Sequence, residues 1–469
     1  MGVIDAWCES MQFKMGALVN TPEREERVKR LLFTYQDAWA RNIRCTKETD
    51  LLQFHIVLEP GARPPKIKVR NWSVEQQEWF RKTLPLMEEA GFITHSRNVS
   101  PELFKQRGRF IAGVKLVPKK DGSFRMTHPF MALNAVTIKA HYPAPRVEPV
   151  ITGLAKPGMM VWFGGDGSNA FWSIGATEET VPLLGFVTPF GVYYHLRMPQ
   201  GVTDGPHFYA QLVDYTFGEI PGPDPHKSII GDHGNVDFYP YQDDNGYAAS
   251  DFETAFEFAR TKYFTRVIWS LMSLAPHKST IFEDHNDILS WRITKNGLTA
   301  IPEKMDKFRD WPMPTTQAEV SLFFASVQYY RHKVPGFAGL RALCVGNEKR
   351  PGKPTKAKEK SIVSGEGKGN DHEPWSWNAE KQAAFEKVKE HVCIGHISGP
   401  DQALDIHIAS DSSGTGSGAV VFQVQGLSPG EEAKPTHKSR EKVLAFLSFK
   451  FTGAETRYTT TEKEVLGVV

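Results

Sequence analysis

Residues 346–374 read GNEKRPGKPTKAKEKSIVSGEGKGNDHEP, a stretch rich in Gly, Pro, Lys and Glu with almost no apolar side chains. Such a segment buries too little surface to offset the entropy of ordering it. The segment therefore reads as a linker or a surface insertion, with a separate second domain expected beyond it. Between 349 and 360 it carries six Lys/Arg (Lys349, Arg350, Lys353, Lys356, Lys358 and Lys360) against one acid, Glu359. A nucleic-acid-contacting arm and a solvated tether both fit that run, and the tether is the simpler reading.

The 469 residues amount to roughly three or four times the commonest domain size, so several units are expected. Lys+Arg 56 against Asp+Glu 54 leave a formal charge of +2, and 40% hydrophobic with 23% charged residues describes a globular chain rather than a disordered one. That balance does not advertise nucleic-acid binding, although a local basic groove can sit inside a balanced total. Cys8, Cys45, Cys344 and Cys393 lie far apart, without the paired spacing of a zinc site, so the expectation is a reduced, intracellular protein. Asp5 and Glu9 interrupt any apolar signal segment, no run approaches a membrane span, and Ala6 breaks the myristoylation pattern that Met1-Gly2 opens.

Val28, Leu31, Leu32, Tyr35 and Trp39 predict a packing helix over 22–44, and the same spacing predicts another over 72–91 with Ser73 as its N-cap. From about 110 to 240, short apolar runs alternate with Gly, Asp and Pro, which reads as strands and hairpins. Helical patterns return after 250, and Thr316-Gln317-Ala318-Glu319 forms a capping box before Val320, Phe323, Phe324 and Val327. Beyond the charged segment, 377–392 is expected to be helical and 403–423 to form strands around a Gly/Ser turn.

Three acids carry the candidate chemistry. Asp243 and Asp244 are adjacent, and successive strand residues point to opposite faces, so both serve one site only at a hairpin turn. Asn245-Gly246 supplies turn chemistry for that hairpin. The third acid is Asp166 in GGDGSNAF, at a strand end and five residues before Phe171. Three carboxylates converging from two strands would hold two Mg²⁺ ions, as phosphoryl displacement in polynucleotide synthesis requires. Lys119 and Arg125 flank a tight turn in KKDGSFR, a geometry suited to gripping a triphosphate; a plain hairpin is the blander reading.

The ordered set LEPGARP (58–64), VPKKDGSFRM (117–126), ALNAVTIKAHYPAPR (132–146), MPQGVTDGPHF (198–208), YQDD (241–244) and NGLTAIPEKMDKFRDWPMPTT (296–316) resembles the successive blocks of gypsy-type LTR-retrotransposon reverse transcriptases, and more distantly retroviral ones. The resemblance implies an α+β right-hand polymerase of fingers, palm and thumb, plus a connection and an incomplete ribonuclease H-like α/β domain. The implied boundaries are an N-terminal helical extension at 1–60, fingers and palm at 61–299, a thumb-like helical unit at 300–345, the charged linker at 346–374, and the connection with the ribonuclease H-like domain at 375–469.

It further implies RNA-directed DNA polymerase activity with Mg²⁺ (Mn²⁺ as the alternative), an RNA or DNA template with primer, and dNTPs. No membrane partner is implied; other products of a Pol polyprotein are. The implied setting is intracellular: the cytoplasm, virus-like particles or the nucleus. Asp166, Asp243 and Asp244 match the metal ligands, Lys119 and Arg125 the triphosphate pair, and Gln200 the residue beside the incoming nucleotide. Phe171 matches the steric gate against a ribose 2′-oxygen. Leu289 and Ser290 resemble the primer-grip turn, with Ser290 where Gly is usual. Asp411, in SDSSGTGSGAV, and Glu464, in RYTTTEKEVL, resemble the first two ribonuclease H ligands. Without the family, the first of these strings reads as a flexible Ser/Gly loop.

Departures accompany the matches. The chain stops at Val469, before the remaining carboxylates of a ribonuclease H site, so that activity is expected to be absent or to need further sequence. Pro129 stands where an acid is usual, Pro240 precedes Tyr241, Asn245 and Gly246 replace apolar residues, and Gly164 and Gly165 are expected to loosen the strand leading to Asp166. A catalytically weak or inactive nucleic-acid-binding remnant is therefore the alternative.

Overall fold

The computed structural model describes residues 2–64, 71–102, 110–119, 122–143, 145–219, 227–346, 376–426 and 435–468. The basic run 349–360, Lys120 and Asp121 lie outside them. The chain divides into two compact units: Met1–Leu154 with Gly158–Ile288, and Ala155–Pro157 with Leu289–Val469.

The first unit is built on a six-stranded sheet in the order Lys14–Met15, Thr280–Glu283, Val161–Asp166, Asp244–Ala249, Val236–Tyr241, Gly231–Asp232. The central strand, Val161-Trp-Phe-Gly-Gly-Asp166, is antiparallel to both neighbours. On one face Phe163, Tyr247 and Phe238 pack beneath the helix Gly205–Phe217 and the helical run Phe252–Trp269, in a core with Tyr209, Leu212, Phe217, Tyr263 and Phe264. A smaller four-stranded sheet (Ile93–His95, Gly191–His195, Gly185–Thr188, Ile111–Ala112), the parallel pair Thr49–Phe54/Ile174–Ala176 and the separate hairpin Lys115–Pro118/Phe124–Thr127 also belong to this unit.

The segment expected as an N-terminal helical extension contributes side chains to that core. Val28, Leu31, Leu32, Trp39 and Phe54 are buried in one cluster with Phe163 and Phe264. The helix expected over 22–44 runs only from Pro22 to Thr34. After the 3-10 turn Gln36–Ala38, Trp39 is extended, with its ring edge-on to that of Phe13 at 4.8 Å. The second expected helix, Val74–Glu89, has the Ser73 N-cap and a reciprocal capping box with Gln76.

In the second unit, Thr316 caps the helix Gln317–Val327 by accepting the Glu319 amide, while the Glu319 carboxylate turns instead to the amide and hydroxyl of Thr315. Asn378 caps the helix Ala379–Ile394, and the strands His407–Ser412, Gly416–Val424 and Glu441–Lys450 form an antiparallel sheet with the helix Thr460–Val468 against it. Among the described residues no helix is long and apolar enough to cross a membrane.

Candidate active site

The strand ladder brings the three acids together. Asp244 stands directly opposite Asp166 across adjacent strands, so both side chains leave the same face of the sheet. Asp243 sits in the two-residue turn between Tyr241 and Asp244, and its carbonyl accepts the Gly167 amide at 2.8 Å, tying that turn to the end of the central strand. The turn is Gln242–Asp243, with Gln242 at φ 51°, and not Asn245-Gly246, which lie within the following strand. The expected turn is displaced by three residues because the ladder with Val161–Asp166 holds Asn245 and Gly246 opposite Gly165 and Gly164.

Those glycines tighten the site where the sequence suggested loosening. A Cβ on Gly165 would run into the Tyr263 hydroxyl, and Cβ atoms on Gly164 and Gly246 would stand 3.1 and 3.0 Å from the Asn286 carboxamide. Side chains from neighbouring elements fill the space that larger residues would take. Pro240 pairs with Asn245 in a non-hydrogen-bonded position, where its missing N–H points away from the ladder, beyond the stretch covered by Gly231–Asp232.

The Asp166 carboxylate is three-quarters buried and accepts from Lys278 Nζ at 3.2 Å, while its amide donates to Ser279 Oγ and its carbonyl accepts the Ala275 amide. Burial raises its pKa above the ordinary carboxylate range, Lys278 opposes that rise, and the Asp243 carboxylate adds to it. Tyr209, fully buried beside the acids, is held neutral first by burial and then by the Asp243 charge. The oxygens of the three aspartates do not all fall within 4.8 Å of one another; among the described residues only Glu283, Asp284 and His285 offer such a group. That trio is occupied within the protein, Glu283 accepting the Ala17 amide at 2.8 Å and His285 Nδ1 lying 2.8 Å from Asp284.

Around the acids, Phe171 lies in the 3-10 turn Ala170–Ser173, its ring 5.7 Å from that of Tyr209 and backed by Gly205, where a Cβ would come within 3.3 Å of it. Arg197, buried, donates to the carbonyls of Thr46, Lys47 and Trp172 and so pins this turn. Gln200 is exposed next to Gly201, and Asn134 clamps that loop, donating to the Gly201 carbonyl at 2.9 Å and accepting the Thr203 amide at 3.0 Å. Lys119 and Arg125 sit on the separate hairpin: Arg125 faces Val117, and the Lys119 amide donates to Ser123, so the pleat puts both cations on one exposed face.

In the second unit Leu289 and Ser290 form a turn with φ 49° and 69°, whose carbonyls accept from the hydroxyls of Tyr329 and Tyr330. Asp411 is exposed on His407–Ser412, and the next amide, that of Ser412, donates to Glu464 Oε1 at 3.3 Å, so the two acids adjoin one strand end. Lys278, Tyr209 and Arg197 carried no sequence signal, being single residues whose partners are remote along the chain, and Asn134 lay within ALNAVTIKAHYPAPR without being singled out.

Residues 117–309 match the family described as reverse transcriptase (RNA-dependent DNA polymerase), and residues 377–469 match the RNase H-like domain found in reverse transcriptase, together more than half of the chain. The chain belongs to the reverse transcriptase family. Its curated relatives are retrotransposon proteins. The retrovirus-related Pol polyprotein from transposon opus of Drosophila melanogaster is 24% identical over 364 residues, covering 76% of this chain and 32% of the relative. The transposon Tf2-3 polyprotein of Schizosaccharomyces pombe is 22% identical over 365 residues, covering 76% of this chain and 23% of the relative. The reverse transcriptase chain thus spans about a quarter to a third of the length of these polyproteins. Solved structures with this fold include the foamy viral protease-reverse transcriptase dRH in complex with double-stranded DNA, at 17% identity and TM-score 0.74, covering 100% of this chain and 71% of that one. The same viral protein in complex with an RNA/DNA hybrid gives TM-score 0.71 at 17% identity, covering 100% of this chain and 55% of that one. The α+β right-hand polymerase architecture is that of these neighbours.

Proposed function

We propose that this chain is an RNA-directed DNA polymerase of a retrotransposon, joining a dNTP to a primer 3′-hydroxyl with release of pyrophosphate. The observation that carries the reading is the placing of Asp166 opposite Asp244, with Asp243 fastened to the same strand end through Gly167.

Hard carboxylate oxygens from two strands and the adjoining turn, those of Asp166 and Asp244 partly buried and one cation on Asp166, suit Mg²⁺ or Mn²⁺. Asp166, Asp243 and Asp244 would hold the ions, which when bound supply charge stabilisation for the attacking and leaving oxygens. The remaining work falls to the chain's own residues. Lys119 and Arg125 receive the triphosphate, Gln200 flanks the nucleotide on a loop that Asn134 holds still, and Phe171, braced by Tyr209 and Gly205, excludes a ribose 2′-hydroxyl. Leu289 and Ser290 present the primer end. Template-primer and dNTPs are the proposed partners, and an intracellular particle or compartment the proposed setting. Asp411 and Glu464 are proposed as two carboxylates of a ribonuclease H-type site.

The test is primer extension on an RNA template with dNTPs and Mg²⁺ or Mn²⁺, run beside Asp243→Asn. Extension by the parent and none by the variant supports the reading. A folded chain that binds template-primer yet extends nothing would overturn it in favour of a binding remnant.

A further inference from the structure

Behind the catalytic strands, on the face opposite Asp166 and Asp244, three polar atoms are buried without partners among the described residues: Oδ1 and Nδ2 of Asn245 and the hydroxyl of Tyr263. Asn245 is 1% exposed and Tyr263 0%. The strand register places them on one face of the sheet, beside Gly165. Asn245 stands directly opposite Gly165, so its Cβ lies on the same face, about 5 Å from where a Gly165 Cβ would be, and the Tyr263 hydroxyl occupies that same place. Pro240, on the other flank of Asn245, has no N–H to offer. Around this spot Phe163, Phe217, Phe238 and Tyr247 enclose the Tyr263 ring, so the three polar atoms form an island in an aromatic core. Tyr263 ends a π-helical turn, Ala259–Tyr263, inserted between two α-helical segments; such turns are frequent at functional sites.

Three donors and acceptors around one small buried site are what a trapped water needs, and leaving them unpaired is costly. We propose that a single ordered water sits between Asn245 and Tyr263 across Gly165, and that through it Asn245 acts as a positioning residue for Asp244 and Asp166. The π-turn, the glycine and the asparagine are then one device: Gly165 makes room for the hydroxyl, the π-turn delivers it, and Asn245 completes the water's shell one residue from Asp244. The water site stands on geometry alone, whereas its bearing on the acids rests on the polymerase reading.

The experiment is a double-mutant cycle of Asn245→Leu and Tyr263→Phe on the full chain, with a crystal structure of the parent at a resolution that shows water. An ordered water within hydrogen-bond reach of Asn245 and Tyr263 is expected. Each single variant, stranding the other partner, should melt about 3–6 °C lower, and the double variant should lose clearly less than the sum. If the chain extends primers, both singles should raise the Mg²⁺ concentration for half-maximal rate at least threefold while leaving the KM for dNTP unchanged. Tyr263→Phe is nearly isosteric and should fold, which keeps the cycle readable if Asn245→Leu does not. A dry site in the parent, or additive or neutral melting shifts, would overturn the water. An unchanged Mg²⁺ response in an active enzyme would overturn the positioning role. Absence of all extension would count against the polymerase reading and leave melting and diffraction to decide the water.

Discussion

Lys278 Nζ lies 3.2 Å from Oδ1 of Asp166, yet the carboxyl of Asp166 titrates above its ordinary range. Burial outweighs the ion pair, partly because Lys278 is more than half exposed and its charge is screened. A carboxyl whose folded pKa exceeds its unfolded one binds protons in the native state, so stability is lost as pH rises through the unfolded value and up to the folded one. At neutral pH the ionised Asp166 therefore weighs against the fold. Asp166→Asn is expected to raise Tm by about 1–3 °C while abolishing primer extension, measured by calorimetry and extension on the same preparation.

His128 and His195 pair through their Nε2 atoms at 3.1 Å, wholly buried against Phe186, and burial depresses the first to about 3 and the second well below its usual value. Both are neutral in the folded state, and the unfolded chain takes up protons below about 6.5. Their contribution is present above that pH and is lost as pH falls towards the folded values. Stability should be nearly flat from pH 8 to 7 and drop by about 2–3 kcal/mol by pH 5.5. Denaturant midpoints across this range check it, and His195→Phe should flatten the slope.

Gly165→Ala drives a methyl group into the Tyr263 hydroxyl from a strand paired along its whole length with Asp244–Ala249. The expected loss is about 2–4 kcal/mol in denaturant unfolding, partly restored by adding Tyr263→Phe. A neutral Gly165→Ala would show that the strand yields more readily than its packing implies.

Ser290 adopts φ 69° in its turn, while its hydroxyl accepts from Lys304 at 3.2 Å. The left-handed backbone penalises any side chain, and the exposed hydrogen bond returns little. Ser290→Gly should stabilise the chain by about 0.5–1 kcal/mol, read as an upward shift in Tm.

Phe171 is braced by Tyr209 and Gly205, so in the proposed gate role its ring would have no easy retreat from a 2′-hydroxyl. Phe171→Val should raise ribonucleotide relative to deoxyribonucleotide incorporation by about ten- to a hundredfold, with the KM for dNTP little changed. Single-nucleotide kinetics with each substrate measure it.

The sequence by itself determined the kind of fold and the identity of the three acids. Alternating apolar runs, a charged segment that cannot bury a core, and the order of motifs from VPKKDGSFRM to YQDD suffice for that, because periodicity and motif order are local properties of a chain. What surrounds the acids was decided only by the tertiary structure. Gly164, Gly165, Asn245 and Pro240 read along the chain as a weakened strand. In the fold, Asn286 and Tyr263 fill the space the glycines leave, and Pro240 falls at a position where its N–H is not needed. The turn likewise moved to Gln242–Asp243, because pairing with Val161–Asp166 outweighs the local preference of Asn-Gly for a hairpin tip. Lys278, 112 residues from Asp166, and Tyr209 with its neutral hydroxyl beside Asp243, have no local pattern at all. Their roles come from contacts closed by the sheet and its helices, and a contact between distant residues has no period for a sequence to display.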